Sequence, residues 1–427
     1  MREDLTPVSP PKDEQPQRGG REAGAGLGGA ESQAASPLWP RGPVVALAPM
    51  AGVTDKPFRI LCLSFGADWA VGEMLSDNPE LARARKTSDR ADRFGEPGTI
   101  VTQIAGADPK TMGEAARRYA AQGSAVIDVN MGCPAKKVAR ANAGSALMAD
   151  EDLAARIMEA VAEGARREGA VATLKTRLGV SADRPNALAI ARRALGAGFA
   201  GLAVHARYKD QLFAGVPDFE SVARLRAALG DDLPLLANGD VRSPEQAARV
   251  LASTGARGVM VGRGSFGRPW IFRQIKECIS LGTWTPMGME EGARAVLGHL
   301  EALYSFYGPG RAVRIARKHI GRYLSPFPEG RAALGAIFAE TGELGQYRLV
   351  ERFFAGQSAN FSLWPGEAEA ACACGSEIET VAGDEAQTEG SAWLGAEGEA
   401  HRALRPFPLP LPRPPAVGAT ATSRGIG

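Results

Sequence analysis

The stretch Ala125-Val126-Ile127-Asp128-Val129-Asn130-Met131-Gly132-Cys133-Pro134 joins an apolar run to a stiff turn that carries a single thiol. An apolar run of this length that ends in Gly-Cys-Pro predicts a buried strand followed by a tight turn. A packing cysteine would more naturally lie inside the strand, among the valines. In a repeating β/α fold, catalytic residues lie at the carboxyl ends of the strands. The stretch therefore indicates such a fold, with Cys133 at a position where chemistry is done.

Apolar runs of this kind alternate along the chain with amphipathic stretches that predict helices, such as 55–65, 109–122, 150–167 and 244–253. Eight β/α units over about 240 residues predict an α/β fold of the (β/α)8, or TIM barrel, class. A doubly wound sheet would usually have fewer strands and an early glycine-rich turn. The eight predicted strands are 44–48, 69–73, 99–103, 125–130, 171–176, 201–205, 233–238 and 258–262.

Composition divides the chain into four predicted segments. Residues 1–42 and 364–427 are predicted to be disordered tails, 43–287 the barrel, and 288–363 a helical domain. The proline-rich stretch 405–415 indicates polyproline II, and an unselected tail is a simpler interpretation of it than a ligand for a partner. No signal peptide and no apolar stretch of membrane-spanning length is evident. We expect a cytoplasmic monomer without membrane contact.

Charge and cysteine content limit the partners. The formal net charge of +2 gives no field over the whole protein, so a nucleic acid would need a local patch. The five cysteines include no C-x-x-C pair, which argues for a reducing compartment and against disulfides or a metal site. Cys62 and Cys278 lie in apolar helical patterns and are predicted packing residues, and Cys372 and Cys374 are too close in sequence for a usual zinc pair.

Polar residues follow the predicted strands where each apolar run stops. Singly they have simpler interpretations: Gln103 as a loop cap, His205 as a core histidine, Lys175 as a surface charge. Together on one barrel face they would be costly to bury without a function. An arginine in a glycine-rich loop suits a phosphate, amides suit a heteroaromatic ring, and a lysine can stabilise an anionic reduced flavin. These residues are Pro49, Met50, Ala51, Glu73, Gln103, Asn130, Cys133, Lys175, Arg177, His205, Arg207, Asn238, Gly239, Asp240, Gly262 and Arg263.

The segment Gly262-Arg-Gly-Ser-Phe-Gly267 matches the glycine pattern of dinucleotide-binding folds. A lone match is weak, it lies at the eighth strand, and no acidic residue follows about twenty positions on. In a barrel the loops after strands seven and eight commonly bind a phosphate through backbone N–H groups. The barrel interpretation is preferred, and flavin mononucleotide (FMN) fits the whole residue set.

Several segments, in order, closely resemble the tRNA-dihydrouridine synthases, and the bacterial B subfamily most of all. They are APMAGVTDKPFR (48–59), DVNMGCPAKKV (128–138), GSALM (144–148), ANGDV (237–241) and VMVGRG (259–264). The resemblance covers roughly residues 43–360. The sequence departs from the family pattern at 205–209, where it has His-Ala-Arg-Tyr-Lys in place of the usual His-Gly-Arg-Thr-Arg. Lys209 there puts in doubt any bidentate contact of a second arginine.

The resemblance implies an FMN enzyme that uses NADPH to reduce a uridine in the D-loop of tRNA to 5,6-dihydrouridine. It implies that hydride reaches C6 of the uracil and that Cys133 donates the proton to C5, which a thiol that is mostly protonated at neutral pH can do. It further implies that the flavin and its phosphate are bound by Pro49, Met50, Ala51, Gln103, Lys175, His205, Asn238, Gly239, Asp240, Gly262 and Arg263.

The segment 311–322 carries a cationic stripe without an interrupting acid. The usual interpretation of such a run is a solvated helix face. Beside a base-modifying site, however, a run of cations favours binding to the phosphate backbone of RNA. The predicted RNA-binding residues are Arg311, Arg314, Arg317, Lys318 and Arg322, with His319 beside them. Two rival functions stay open: another FMN barrel oxidoreductase, similar to dihydroorotate dehydrogenase, and an RNA-binding protein that has lost catalysis.

Overall fold

The computed structural model describes residues 38–78, 80 and 85–367. Eight parallel strands close into a barrel in the order β2-β1-β9-β8-β7-β6-β5-β4, and β4 pairs back to β2. The predicted (β/α)8 class is therefore confirmed. The strands are β1 (Val44–Leu47), β2 (Trp69–Val71), β3 (Leu75–Ser76), β4 (Thr99–Ala105), β5 (Val126–Asn130), β6 (Val171–Arg177), β7 (Leu202–His205), β8 (Leu235–Asn238) and β9 (Gly258–Val261).

Each predicted strand overlaps one barrel strand, and the short β3 was not predicted. It pairs only with the end of β4, through Leu75 and Ser76. Two residues are too few to show a period of two, so no sequence pattern could have revealed it.

Helices connect the strands and continue beyond the barrel. The α-helices of the described part are α1 (Lys56–Ser64), α2 (Arg85–Ala91), α3 (Pro109–Ala121), α4 (Lys136–Arg140), α5 (Glu151–Arg166), α6 (Ala187–Gly196), α7 (Phe219–Leu229), α8 (Pro244–Thr254), α9 (Ile271–Leu281), α10 (Met289–Tyr307), α11 (Arg311–Leu324), α12 (Gly330–Ala339) and α13 (Glu343–Gln357). None of these helices is long and apolar enough to cross a membrane.

Local chemistry sets where the barrel helices begin. The side chains of Asp55, Asp108, Asp150 and Ser243 each accept a backbone N–H of the first helical turn, which satisfies a donor that the helix itself leaves unpaired. Prolines stand in the first turn of α1, α3 and α8, where the missing N–H is not needed. The four quoted helix predictions are confirmed to within a residue at each end.

The described structure extends a few residues into both predicted tails. Leu38 is buried, and the indole of Trp39 donates to the Ala200 carbonyl at 2.8 Å. At the other end Trp364 and Glu367 are buried, and Glu367 accepts from the indole of Trp270 at 2.5 Å. Both boundaries were drawn from composition, which does not register single tryptophans packed against the barrel. The stretch 405–415, Cys372 and Cys374 lie outside the described residues; Cys62 and Cys278 are buried, as predicted.

The helical segment packs on the barrel through α10 and α11. Tyr307 donates to the Asp55 carboxylate at 3.0 Å, and His299 and His319 pack edge to face with ring centroids 4.8 Å apart. Burial lowers the pKa of His299 to about 3 and that of His319 well below its ordinary value. The ligand atoms of the two imidazoles and Asp55 lie within 4.8 Å of one another, a spacing that a metal site would also have. Because Phe58 packs against both rings, we interpret them as neutral junction residues.

Replacing His319 by Phe is expected to weaken the pH dependence of the free energy of unfolding. The folded pKa of His319 lies below the unfolded value, so the unfolded chain binds more protons and stability falls as the pH drops below about 6.5. Between pH 7 and pH 5 this amounts to about 2 kcal/mol. Asp55, whose pKa burial raises to about 6, acts with the opposite sign, but it is present in both proteins.

Urea unfolding at pH 7 and pH 5 measures this difference. The loss of unfolding free energy on acidification should be about 2 kcal/mol smaller in the variant than in the parent. Equal losses in the two proteins would show that His319 takes up protons in the folded state.

Candidate active site

A cavity of about 700 Å³ lies at the carboxyl ends of the barrel strands. It brings together Cys133 and nearly all of the residues predicted to bind a cofactor. Gly239 is not among the lining residues, but it lies between Asn238 and Asp240, which are. The predicted residues that line the cavity are Pro49, Met50, Ala51, Gln103, Cys133, Lys175, His205, Asn238, Asp240, Gly262 and Arg263.

The side-chain period of a strand explains why these residues meet. Val101, Val126 and Met260 belong to one small core cluster inside the barrel. Residues two positions further along a strand point to the same side, one layer closer to the carboxyl end. Val101 is thus followed inside the barrel by Gln103, and Met260 by Gly262. The polar ends of separate strands therefore converge on one space.

The turn that carries Cys133 is held from two sides. The Asn130 side-chain oxygen accepts the N–H of Cys133 at 2.9 Å and that of Gly132 at 3.2 Å. From β6, Arg177 Nε donates to the Gly132 carbonyl at 2.7 Å. Gly144 packs against the turn, and a Cβ there would come within 2.8 Å of the Cys133 carbonyl oxygen. The half-buried thiol thus has a fixed place on the cavity wall.

Lys175 extends from β6 into the cavity. Its ammonium donates to the Asn238 side-chain oxygen at 2.9 Å, and the Asn238 amide donates in turn to the Met260 carbonyl at 2.7 Å. Desolvation, followed by the neighbouring charge of Arg177, lowers the pKa of Lys175 to about 8. A half-buried cation on the cavity wall favours a bound anionic or electron-rich group.

His205 lines this space and carries an unpaired ring nitrogen. Its Nδ1 is buried without a hydrogen-bond partner in the protein. Desolvation, together with the charge of Lys175, lowers the pKa of His205 to about 2, so the imidazole is neutral. A buried polar atom without a partner is uncommon in proteins, and a bound ligand at this cavity would supply one.

The arginine-rich end of the cavity is organised around Asp240. This residue has a positive φ of 45° and accepts from Arg207 at 2.6 Å and from Arg263. Arg263 also lies 5.2 Å from the ring centroid of Phe213. Phe213 lines the cavity but was missed, because it lies in the β7–α7 loop, away from a strand end. Guanidinium groups at this end suit a phosphate.

Two glycines after β9, Gly264 and Gly267, are explained by close packing, without a dinucleotide-binding role. A Cβ on Gly264 would lie 2.3 Å from the Val241 carbonyl oxygen, and Gly267 has a φ of +94°. Gly264 lets the loops after β8 and β9 approach closely, and Gly267 lets the second of these loops pack against Arg322 of α11. Together with the unpaired His205 atom and the half-buried Lys175 ammonium, these glycines make a site whose residues fit a flavin.

The cationic stripe lies on α11 and reaches the cavity. Arg314, Lys318 and Arg322 are exposed, and Arg322 lines the cavity mouth. Lys318 donates to the Gly52 carbonyl, in the loop that follows β1 at the same end of the barrel. The stripe therefore runs along the helix towards the strand-end cavity.

The two other predicted members of the stripe are, like Lys318, engaged within the protein, and they are less exposed than it is. Arg311 forms an ion pair with Asp89 at 2.5 Å, and Arg317 donates to the Glu340 carbonyl at 3.2 Å. Both are only partly exposed. The three exposed residues are therefore the stronger candidates for a contact with RNA.

His319 does not lie beside the stripe as predicted, because it is fully buried in the junction with the barrel. On an amphipathic helix a histidine next to cations in sequence can belong to either face. The helical period places it with the apolar positions, where Phe58 and Phe266 pack against it.

A parallel barrel with a thiol and cations around a strand-end cavity is the arrangement of a TIM-barrel enzyme. The model of the family described as "Dihydrouridine synthase (Dus)" matches residues 46–354. This chain belongs to that family and is a flavin-dependent oxidoreductase. The predicted resemblance is thereby confirmed.

Relatives in several bacteria support the assignment to the B subfamily. A "tRNA-dihydrouridine synthase B" of Xanthomonas campestris pv. campestris is 48% identical over 316 residues, 73% of this chain and 93% of the relative. Proteins of the same name from Xanthomonas axonopodis pv. citri and Vibrio vulnificus are 49% and 41% identical, over 67% and 72% of this chain and 85% and 94% of their own lengths. Solved structures of mandelate oxidase align with 55% of the chain at 20% identity and a TM-score of 0.36, too low to bear on the site.

Proposed function

We propose that this protein reduces a uridine in the D-loop of tRNA to 5,6-dihydrouridine, with FMN as the flavin and NADPH as the reductant. One observation carries the proposal: the cavity that holds Cys133 also holds Lys175 and His205, and the stripe on α11 ends at its mouth. The names of the bacterial relatives, one of which is 48% identical to this chain over 316 aligned residues, also point to dihydrouridine in tRNA.

The proposed flavin contacts follow from the donors on the cavity wall. Gln103 and Asn238 offer amides to the ring, and Lys175 offers positive charge to its electron-rich edge. Arg263 and the glycine-rich turn at Gly262 would bind the phosphate. When bound, a reduced flavin supplies the hydride that saturates C6 of the uracil.

Cys133 then completes the saturation of the ring by donating the thiol proton to C5. The carbon must be protonated on the face opposite the hydride, which requires an acid at a fixed position. The hydrogen bond that the Cys133 N–H donates to Asn130 and the one that Arg177 donates to the Gly132 carbonyl provide that position. Solvent restores the proton at the cavity mouth.

The helical segment 288–363 is the proposed tRNA-binding domain. Arg314, Lys318 and Arg322 offer positive charge to the phosphate backbone next to the cavity. A uridine within a folded loop must be unstacked before its ring can enter. The monomeric, metal-free state and the cytoplasmic location remain predictions.

The purified protein tests the proposal directly. It should be yellow, release FMN on denaturation, and form dihydrouridine in undermodified tRNA when NADPH is supplied. Orotate and dihydroorotate serve as the parallel substrates, since a barrel similar to dihydroorotate dehydrogenase would use them. Turnover of these acids without modification of tRNA, or a colourless protein that FMN does not reconstitute, would refute the proposal.

A further inference from the structure

A buried carboxylate lies one layer below the cavity. Asp128 is at the centre of β5, directly opposite Gln103 on β4 and Thr173 on β6. It is only 2% exposed and does not line the cavity. The mechanism does not use it, yet an ionisable group is rarely kept inside a barrel without a purpose.

A chain of hydrogen bonds connects Asp128 with the catalytic turn. Gln103 Nε2 donates to Asp128 Oδ2 at 2.7 Å, and Asn130 Nδ2 donates to Gln103 Oε1 at 2.8 Å. The other end of the Asn130 amide, Oδ1, accepts the N–H of Cys133 at 2.9 Å. Thr173 donates to the second oxygen of Asp128 at 2.8 Å.

The direction of this chain depends on one group. A side-chain amide can bond in either of two orientations, because it carries a donor and an acceptor on opposite sides. An ionised carboxylate only accepts, so it forces Gln103 to present Nε2 to Asp128 and Oε1 to Asn130. Asn130 must then present its oxygen to the turn. If either amide flipped, two donors or two acceptors would face each other in a buried place.

We infer that Asp128 is a positioning residue that sets the orientation of Gln103 and Asn130 and, through them, the place of the Cys133 turn. This inference rests on the proposed function, because that function makes Cys133 on this turn the proton donor. Asp128 touches neither the thiol nor the cavity, so it acts only through these two amides. Gln103, oriented in this way, also presents a fixed edge to the proposed flavin.

Asp128→Asn provides the test, because it keeps the shape and removes one acceptor. An asparagine can present either its oxygen or its nitrogen to Gln103, because the Thr173 hydroxyl can donate or accept, so the direction of the amide chain is no longer imposed and the chain can reverse. Alkylation of Cys133 by iodoacetamide, followed peptide by peptide in flavin-free protein, should become about tenfold faster as the turn loosens. Cys62 and Cys278, which are buried elsewhere, serve as internal controls for general unfolding.

The double variant Asp128→Asn/Gln103→Glu moves the carboxylate from β5 to the neighbouring strand β4 and again fixes the direction of the hydrogen-bond chain. The introduced glutamate would accept from Asn130 and from the amide of the introduced asparagine, whose oxygen would accept from Thr173. The alkylation rate should return to within about twofold of the parent, although Gln103→Glu alone places two carboxylates together and disturbs the turn further.

Two outcomes would overturn the inference. Cys133 in Asp128→Asn could be alkylated at the parental rate, or Cys133 in the double variant could be alkylated as fast as in the single variant. Because the readout uses flavin-free protein and no tRNA, it is separate from the proposed function. Loss of that function would appear instead as absent dihydrouridine formation by the parent protein.

Discussion

Cys133→Ala is expected to lower the rate of dihydrouridine formation by roughly 10²–10⁴-fold, the usual contribution of a positioned general acid. The thiol lies on the cavity wall and is held by a turn that Asn130 and Arg177 fix in place. The methyl group of alanine fills part of the same space but cannot donate a proton to C5. The flavin should still bind, because the proposed contacts of its ring and phosphate lie on other strands.

Single-turnover assays separate the two effects. Flavin content and reduction by NADPH should match the parent, while the transfer step to tRNA is slow. Cys278→Ala is the matched control, since it removes a buried thiol outside the cavity and should leave turnover unchanged. Full turnover by Cys133→Ala would show that another group donates the proton.

The double charge reversal Arg314→Glu/Lys318→Glu is expected to weaken tRNA binding by on the order of 10²-fold. Both side chains are exposed on α11, one helical turn apart, on the face that leads to the cavity mouth. Removing two phosphate contacts should also reduce the slope of log affinity against log salt by about 1.5. Flavin binding should not change.

The control for this prediction is an equal reversal on the opposite end of the barrel. Arg166→Glu/Arg167→Glu changes two exposed arginines at the end of α5, which runs back from the carboxyl ends of the strands. Its effect on tRNA affinity should be small at physiological salt. Equal losses in the two double variants would indicate a nonspecific effect of charge, and no loss in the first would place the RNA elsewhere.

Much of the fold could be predicted from sequence because its signals are local. Apolar runs and the polar residue that ends each run can be recognised in a few residues, and barrel closure then brings Gln103, Lys175 and Asn238 together. The first-turn prolines and capping aspartates are local in the same way. Such signals place residues at strand ends but say nothing about which hydrogen bonds they form.

The parts that sequence did not reveal depend on contacts between distant segments. His319 is buried because α11 meets α1 and α10, and Phe213 reaches the cavity from a loop. Trp39 and Trp364 belong to the packed structure although their neighbours in sequence resemble tails. In the sequence, Asp128 is one polar residue in an apolar strand. The hydrogen-bond chain that connects it with Cys133 forms only when β4, β5 and β6 pair.

Mass-spectrometric mapping of dihydrouridine in tRNA tests the central claim most directly. The tRNA would come from a strain lacking this gene, and from the same strain complemented with the parent gene or with Cys133→Ala. We predict that at least one D-loop position lacks dihydrouridine in the deletion strain, regains it with the parent gene, and stays unmodified with the variant. Identical dihydrouridine maps in all of these strains would contradict the assignment of this cavity to tRNA reduction.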